Sequence, residues 1–151
     1  MYKYKSTLDK IREVLLQYET LDNMCDLATC MLSELVPNIE IIAGEVQTDK
    51  KRNHVFAYDT KEKYYIDITS EQFGFPSCLC DQDRTVFEKL GYTIPNFHAW
   101  NGAFQMFEEL KHGPVLVHQG KEITMAHLLA EIQKKKKTPK RWSFFGTRRK
   151  R

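Results

Sequence analysis

Between residues 6 and 18 apolar side chains recur at intervals of three and four: Leu8, Ile11, Val14, Leu15 and Tyr18, separated by Lys10, Arg12, Glu13 and Gln17. That period predicts an amphipathic helix, with Ser6 or Thr7 as its N-cap. A second helix is predicted in DNMCDLATCMLSELVPN (22–38), which begins with two good cap residues, Asp22 and Asn23, and ends at Pro37, whose ring disfavours helix at Val36. Cys25 therefore falls in the first turn of a helix.

The period then shortens to two. The segments IEIIAGEVQ (39–47), HVFAYD (54–59) and KYYIDIT (63–69) are rich in β-branched and aromatic residues, and the polar stretches TDKKRN (48–53) and DTKEK (59–63) separate them. A three-stranded antiparallel meander follows from that order. Residues 70–80, with Gly74 and Pro76, read as loop; helical patterns follow at 82–90 and 103–111, a strand at PVLVH (114–118), and a last helix near 123–133. The order predicts one α+β domain over residues 1–133, its N-terminal helices packed on a small antiparallel sheet.

A chain of 151 residues has the length of one domain, and its 42% hydrophobic and 28% charged residues suit a globular core. The charge is unevenly spread. Residues 134–151 hold ten basic side chains (Lys134, Lys135, Lys136, Lys137, Lys140, Arg141, Arg148, Arg149, Lys150, Arg151) and no acid; removing them from the chain's 23 leaves 13 basic against 20 acidic, a net of −7 against +10 in the tail. Such a run repels itself, so residues 134–151 are expected to be a solvated or partner-bound tail. With Trp142, Phe144 and Phe145 between its basic clusters it suits an anionic membrane surface or nucleic acid. It also fits a nuclear-import signal for a protein delivered into a host cell.

No run approaches the roughly 20 apolar residues that cross a bilayer, and the first residues lack the apolar stretch of a secretory signal. The expected compartment is the cytoplasm in which the chain is made. Its four cysteines are then expected as free thiols.

A thiol attacks as thiolate, and a helix N-terminus offers unpaired N–H groups and a positive dipole end to that anion. An imidazole beside it would form an ion pair and later return a proton to the leaving group, and a carboxylate would orient the imidazole. His54 and Asp67 fit these roles, because a hairpin folded at DTKEK pairs positions summing to about 121 and so brings 54 and 67 to one end. The segments MCDLATCMLSEL, NHVFAYD and YYIDITSEQF, spanning residues 22–73, resemble the nucleophile helix, His strand and Asp strand of bacterial papain-fold hydrolases, a group of proteases, glutamine deamidases and transglutaminase-like enzymes. The resemblance implies a papain-like α+β fold, a Cys25–His54–Asp67 triad, a thioester intermediate, a protein substrate and no cofactor. An oxyanion donor beyond the Cys25 N–H has three candidates, Gln17, Asn23 and Gln72.

Other reactive residues are given plainer parts. Cys30 lies about 140° round the helix from Cys25 and is assigned to the core. The Cys78-x-Cys80 pair lacks the spacing of a structural zinc site, so no metal is expected. Phe97, Trp100, Phe104 and Phe107 are expected in the core, and His112, His118 and His127 receive no role. The competing function is a non-catalytic module that holds nucleic acid or membrane through its basic tail.

Overall fold

The computed structural model describes residues 1–18 and 21–137, with side chains through Lys134. The first helix, α1, spans Lys5–Leu16, and Ser6 and Thr7 lie inside it rather than capping it; Tyr4 is the cap, with no side-chain bond. What anchors this end instead is Tyr2, which is buried and donates its hydroxyl to Asp59 Oδ2 at 2.7 Å. Helix α2 spans Cys25–Leu35 and ends at extended Val36, as Pro37 requires. Asp22 and Asn23 do not cap it either, since the cap is Met24 and Asn23 stands in the left-handed region at φ 62°.

Strands β1 (Ile39–Gln47) and β2 (Lys51–Asp59) pair antiparallel over their whole length, from Ile39↔Asp59 to Gln47↔Lys51. The expected turn of 48–53 thus shrinks to 48–50, because three polar residues of β2 continue the ladder. Strand β3 (Tyr64–Asp67) pairs with β2, and the region 70–80, expected as loop, contributes a 3₁₀ turn, Ser70–Phe73, and strand β4 (Leu79–Asp81) on β3. Helix α3 (Arg84–Lys89) is capped by Asp83, whose side chain accepts from the Thr85 N–H, and strand β5 (Tyr92–Thr93) returns to the free edge of β1. The sheet order is β4-β3-β2-β1-β5, all antiparallel.

Helix α4 (Gln105–His112) precedes a separate hairpin of β6 (Pro114–His118) and β7 (Lys121–Thr124). Gln119 and Gly120, both at positive φ, form its two-residue turn, the geometry that matches strand twist. Residues 123–124, expected in the last helix, belong to β7; helix α5 (Met125–Lys137) starts after them and carries the first four lysines of the basic run in its final turn.

Period-2 alternation divides the core between the two faces of the sheet. Ile41, Val55, Ala57 and Ile66 pack with Leu8, Ile11, Leu15, Met31 and Leu32 of the helices, and Ile42, Val46 and Phe56 pack with Phe87, Tyr92 and Ile94 on the other side. Each Val, Leu, Ile, Met or Phe among them contributes about 1.5–3 kcal/mol when fully buried. Of the four aromatics expected inside, Phe107 is fully buried and Phe104 packs against the helical core, but Phe97 and Trp100 are 79% and 67% exposed. Their apparent helical spacing crosses a connection broken by a β-bridge at Ala99 and a 3₁₀ turn at 101–103, so it describes no common face. No helix among the described residues is long and apolar enough to cross a membrane.

Candidate active site

Cys25 opens α2 and is half-buried. The first N–H groups of a helix have no acceptor within it, so the sulfur stands at a polar, electropositive end. Its Sγ lies 3.5 Å from Asp26 Oδ1. Helix α2 is laid on the sheet by its buried face, Leu27, Ala28, Met31 and Leu32, and by Thr29, whose hydroxyl donates to the Val55 carbonyl at 3.4 Å.

His54 is 3% exposed on β2, next to that carbonyl. Strand β3 pairs with β2 only from Ala57 to Asp59, so among the described residues the His54 end of β2 has no strand on that side. The register sums to 123 rather than the expected 121, so Asp67 carries on opposite Phe56 instead of His54. A shift of two keeps both side chains on the same face of the pleat. His54 Nε2 and Asp67 Oδ2 are accordingly 2.8 Å apart.

Asp67, 2% exposed, has every oxygen engaged. Oδ2 accepts from His54 and from the Tyr92 hydroxyl at 2.5 Å, while Oδ1 accepts from the Thr69 N–H at 3.1 Å and the Thr69 hydroxyl at 3.3 Å. The last two bonds curl the chain out of β3, which is why the strand stops at Asp67. Tyr92 and Thr69 carried no signal in the sequence: one is an aromatic in a two-residue strand and the other looks like the end of a longer one. Tyr92 arrives because β5 approaches β1 closely at Gly44, the cross-strand neighbour of His54. A Cβ at Gly44 would stand 2.4 Å from the Thr93 carbonyl oxygen.

Burial is the largest influence on the His54 ring and lowers its pKa, yet the charge and hydrogen bond of Asp67, joined by a hydrogen bond and attraction from Cys25, outweigh it and raise the value to about 9. With Nε2 committed to Asp67, Nδ1 is the ring nitrogen left for another partner. Phe56 stacks on the ring with centroids 5.9 Å apart, and Phe73 meets it edge-on at 4.8 Å, so the imidazole is walled by aromatics. Burial pushes the thiols of Cys30, Cys78 and Cys80 up to about 12, which makes them inert at neutral pH.

Of the three expected oxyanion donors, Gln72 comes to the turn that leads into α2: its Oε1 accepts from the Asn23 N–H at 3.5 Å while its Nε2 donates to Thr69 Oγ1 at 2.9 Å. The neighbouring Glu71 is held by Arg12 of α1 through Nε at 2.5 Å and Nη2 at 3.1 Å, so a two-pronged ion pair fixes the turn that carries Gln72. Asn23 lines a cleft beside Cys25. Gln17 closes α1 with its N–H on the Val14 carbonyl, and no contact among the described residues joins it to the site.

Among the described residues no group of three or more His, Cys, Asp and Glu side chains could hold a metal ion. His127 pairs with Glu131 at 2.9 Å and His118 meets Tyr18 edge-on, both far along the chain from Cys25. Lys134 and the backbone of Lys135, Lys136 and Lys137 belong to α5. The remaining expected tail contacts, Lys140, Arg141, Trp142, Arg148, Arg149, Lys150 and Arg151, lie outside the described residues. No protein-family model, curated protein or solved structure matches the chain.

Proposed function

We propose that the chain is a papain-like cysteine hydrolase acting on a carboxamide or peptide carbonyl of a protein substrate. The observation that carries this reading is one buried imidazole bonded to Asp67 through Nε2 and drawn towards a charged form by both Asp67 and Cys25. With its pKa raised to about 9 the ring holds a proton through neutral pH, and a thiolate is the charge partner that such a ring prefers.

In the reaction the Cys25 sulfur forms a bond to the carbonyl carbon, and the C=O electron pair moves onto oxygen. The Cys25 N–H, and the Gln72 amide after release from Thr69, donate to that oxyanion. Collapse breaks the C–N bond, the His54 proton leaves on the amine or ammonia, and a thioester remains on Cys25. Water then attacks with His54 taking its proton, which breaks the C–S bond and restores the pair; a lysine amine in place of water would give a cross-link. The small site favours a protein side chain such as Gln over general proteolysis.

Labelling with iodoacetamide at pH 7, read by intact mass and peptide mapping, tests the reading. One equivalent on Cys25 is expected, with a rate that falls at least tenfold in His54→Ala. Labelling spread equally over Cys25 and Cys30, or a Cys25 rate indifferent to His54→Ala, would overturn it.

A further inference from the structure

Three arginines lie among the described residues, and two of them are bonded to the protein itself. Arg12 holds Glu71 with two bonds, and Arg84 donates to Glu88 at 3.0 Å and to the Ile94 carbonyl at 2.6 Å. Arg52 is different. A guanidinium has five N–H donors, and none of those on Arg52 makes a hydrogen bond among the described residues. The nearest carboxylate there, Asp49, stands 3.8 Å from Nη2, which is beyond hydrogen-bond length. Its Oδ1 already accepts from the Thr48 hydroxyl and the Lys50 N–H, both at 3.0 Å.

What holds Arg52 is the ring of Phe73, whose centroid lies 5.7 Å from the guanidinium carbon. The same ring meets His54 edge-on at 4.8 Å. Arg52 and His54 are alternate residues of β2 and so share one face of it, and the residue before Phe73 is Gln72, which reaches Asn23 at the start of α2. A cation without a bonded anion therefore stands at the rim of the candidate site, no more than roughly 10 Å from the imidazole. That is about three residues of extended chain at about 3.3 Å each. The local sign is also unusual. Lys50, Lys51 and Arg52 are the one run of three basic residues before residue 134, in a body where acids outnumber bases. An anionic group is repelled by most of the body and drawn to this corner.

We propose, on the reading that Cys25 is the nucleophile, that Arg52 is a specificity-determining residue: its guanidinium takes a carboxylate of the protein substrate, an Asp or Glu about three positions from the residue whose carbonyl is attacked. The planar fork of a guanidinium matches a carboxylate with two parallel bonds, and Phe73 holds that fork in place before the substrate arrives. A basic residue at the same position of the substrate meets like charge instead.

The experiment uses the full chain and two alanine heptapeptides whose central ornithine carries an iodoacetyl group, one with Asp at both ends and the other with Arg. Attack by the Cys25 sulfur forms a C–S bond and releases iodide, so intact mass and peptide mapping give the rate at that residue. Each rate is taken relative to iodoacetamide on the same protein, which removes differences in thiol reactivity. At about 50 mM salt the Asp peptide is expected to label Cys25 about five- to tenfold faster than the Arg peptide, with the ratio falling as salt is added. Arg52→Gln should bring the two rates together, Arg52→Glu should favour the Arg peptide, and Arg52→Lys should keep most of the original preference. Equal relative rates in the native chain, or a preference for Asp that survives Arg52→Glu, would overturn the proposal. A Cys25 that iodoacetamide labels but that ignores peptide charge would leave the hydrolase reading standing and remove Arg52 from it; a Cys25 inert to iodoacetamide and to both peptides would remove both.

Discussion

Replacing Asp67 with Asn keeps the volume of a buried side chain and one of its two oxygens while deleting its charge. In the native protein the His54 pKa stands at about 9 against an ordinary 6.5. That difference corresponds to roughly 3 kcal/mol favouring the charged ring in the folded state, and His54 is too buried for solvent to screen it much. Because the folded value is the higher one, this stabilisation is complete below pH 6.5, fades as pH rises, and is gone above about 9. In Asp67→Asn the carboxylate's attraction disappears and burial, the largest influence, pulls the ring's pKa down instead. The sign of the pH dependence then reverses, and the variant loses stability as pH falls through the ordinary histidine range. Urea denaturation at half-unit steps from pH 5.5 to pH 9.5, with the native-minus-variant difference plotted against pH, isolates the His54–Asp67 contribution from groups common to both proteins. A difference largest near pH 6 and shrinking by roughly 3 kcal/mol towards pH 9.5 is expected. A difference that stays flat across the range would refute the pairing.

Tyr92→Phe removes one of the four donors to the Asp67 carboxylate and should cost about 1–3 kcal/mol in the same urea titration, together with slower labelling of Cys25 as the histidine loses its fixed partner. An unchanged midpoint and rate would show Tyr92 to be a bystander. Gly44→Ala places a methyl group 2.4 Å from the Thr93 carbonyl oxygen, so β5 must move off β1; a loss of about 1–3 kcal/mol and faster amide exchange at Thr93 are expected. Amide protection equal to that of the native chain would mean that the strand spacing adapts without strain.

The residues of the candidate site could be found from the linear chain, and their arrangement only in part. Cys25 was placed at a helix start by Asp22 and Asn23 read as caps, a role the structure gives to Met24, and by Pro37 as the stop, while hairpin counting brought His54 and Asp67 to one end. The diagonal offset between them was not visible, since it depends on where the β3 turn closes, and that is decided by Asp59. Its carboxylate accepts from the N–H groups of Lys61 and Glu62 while also holding Tyr2, which comes from the far end of the chain. The same holds for Gln72, whose place beside the start of α2 follows from the Arg12–Glu71 pair across 59 positions.

Local sequence was enough to determine the α+β class, the helix that presents a thiol at its N-terminus, and the meander that follows, because hydrophobic period and turn chemistry act between neighbouring residues. Short strands such as β4, β5 and β7 have too few residues to set a period, so they exist only because a longer strand offers them a ladder. The setting of His54 belongs to the tertiary structure as well. Its charge is maintained by Asp67 and Cys25 against desolvation by an aromatic wall, all drawn from separate elements, and the balance between desolvation and attraction is struck only when those groups are buried together.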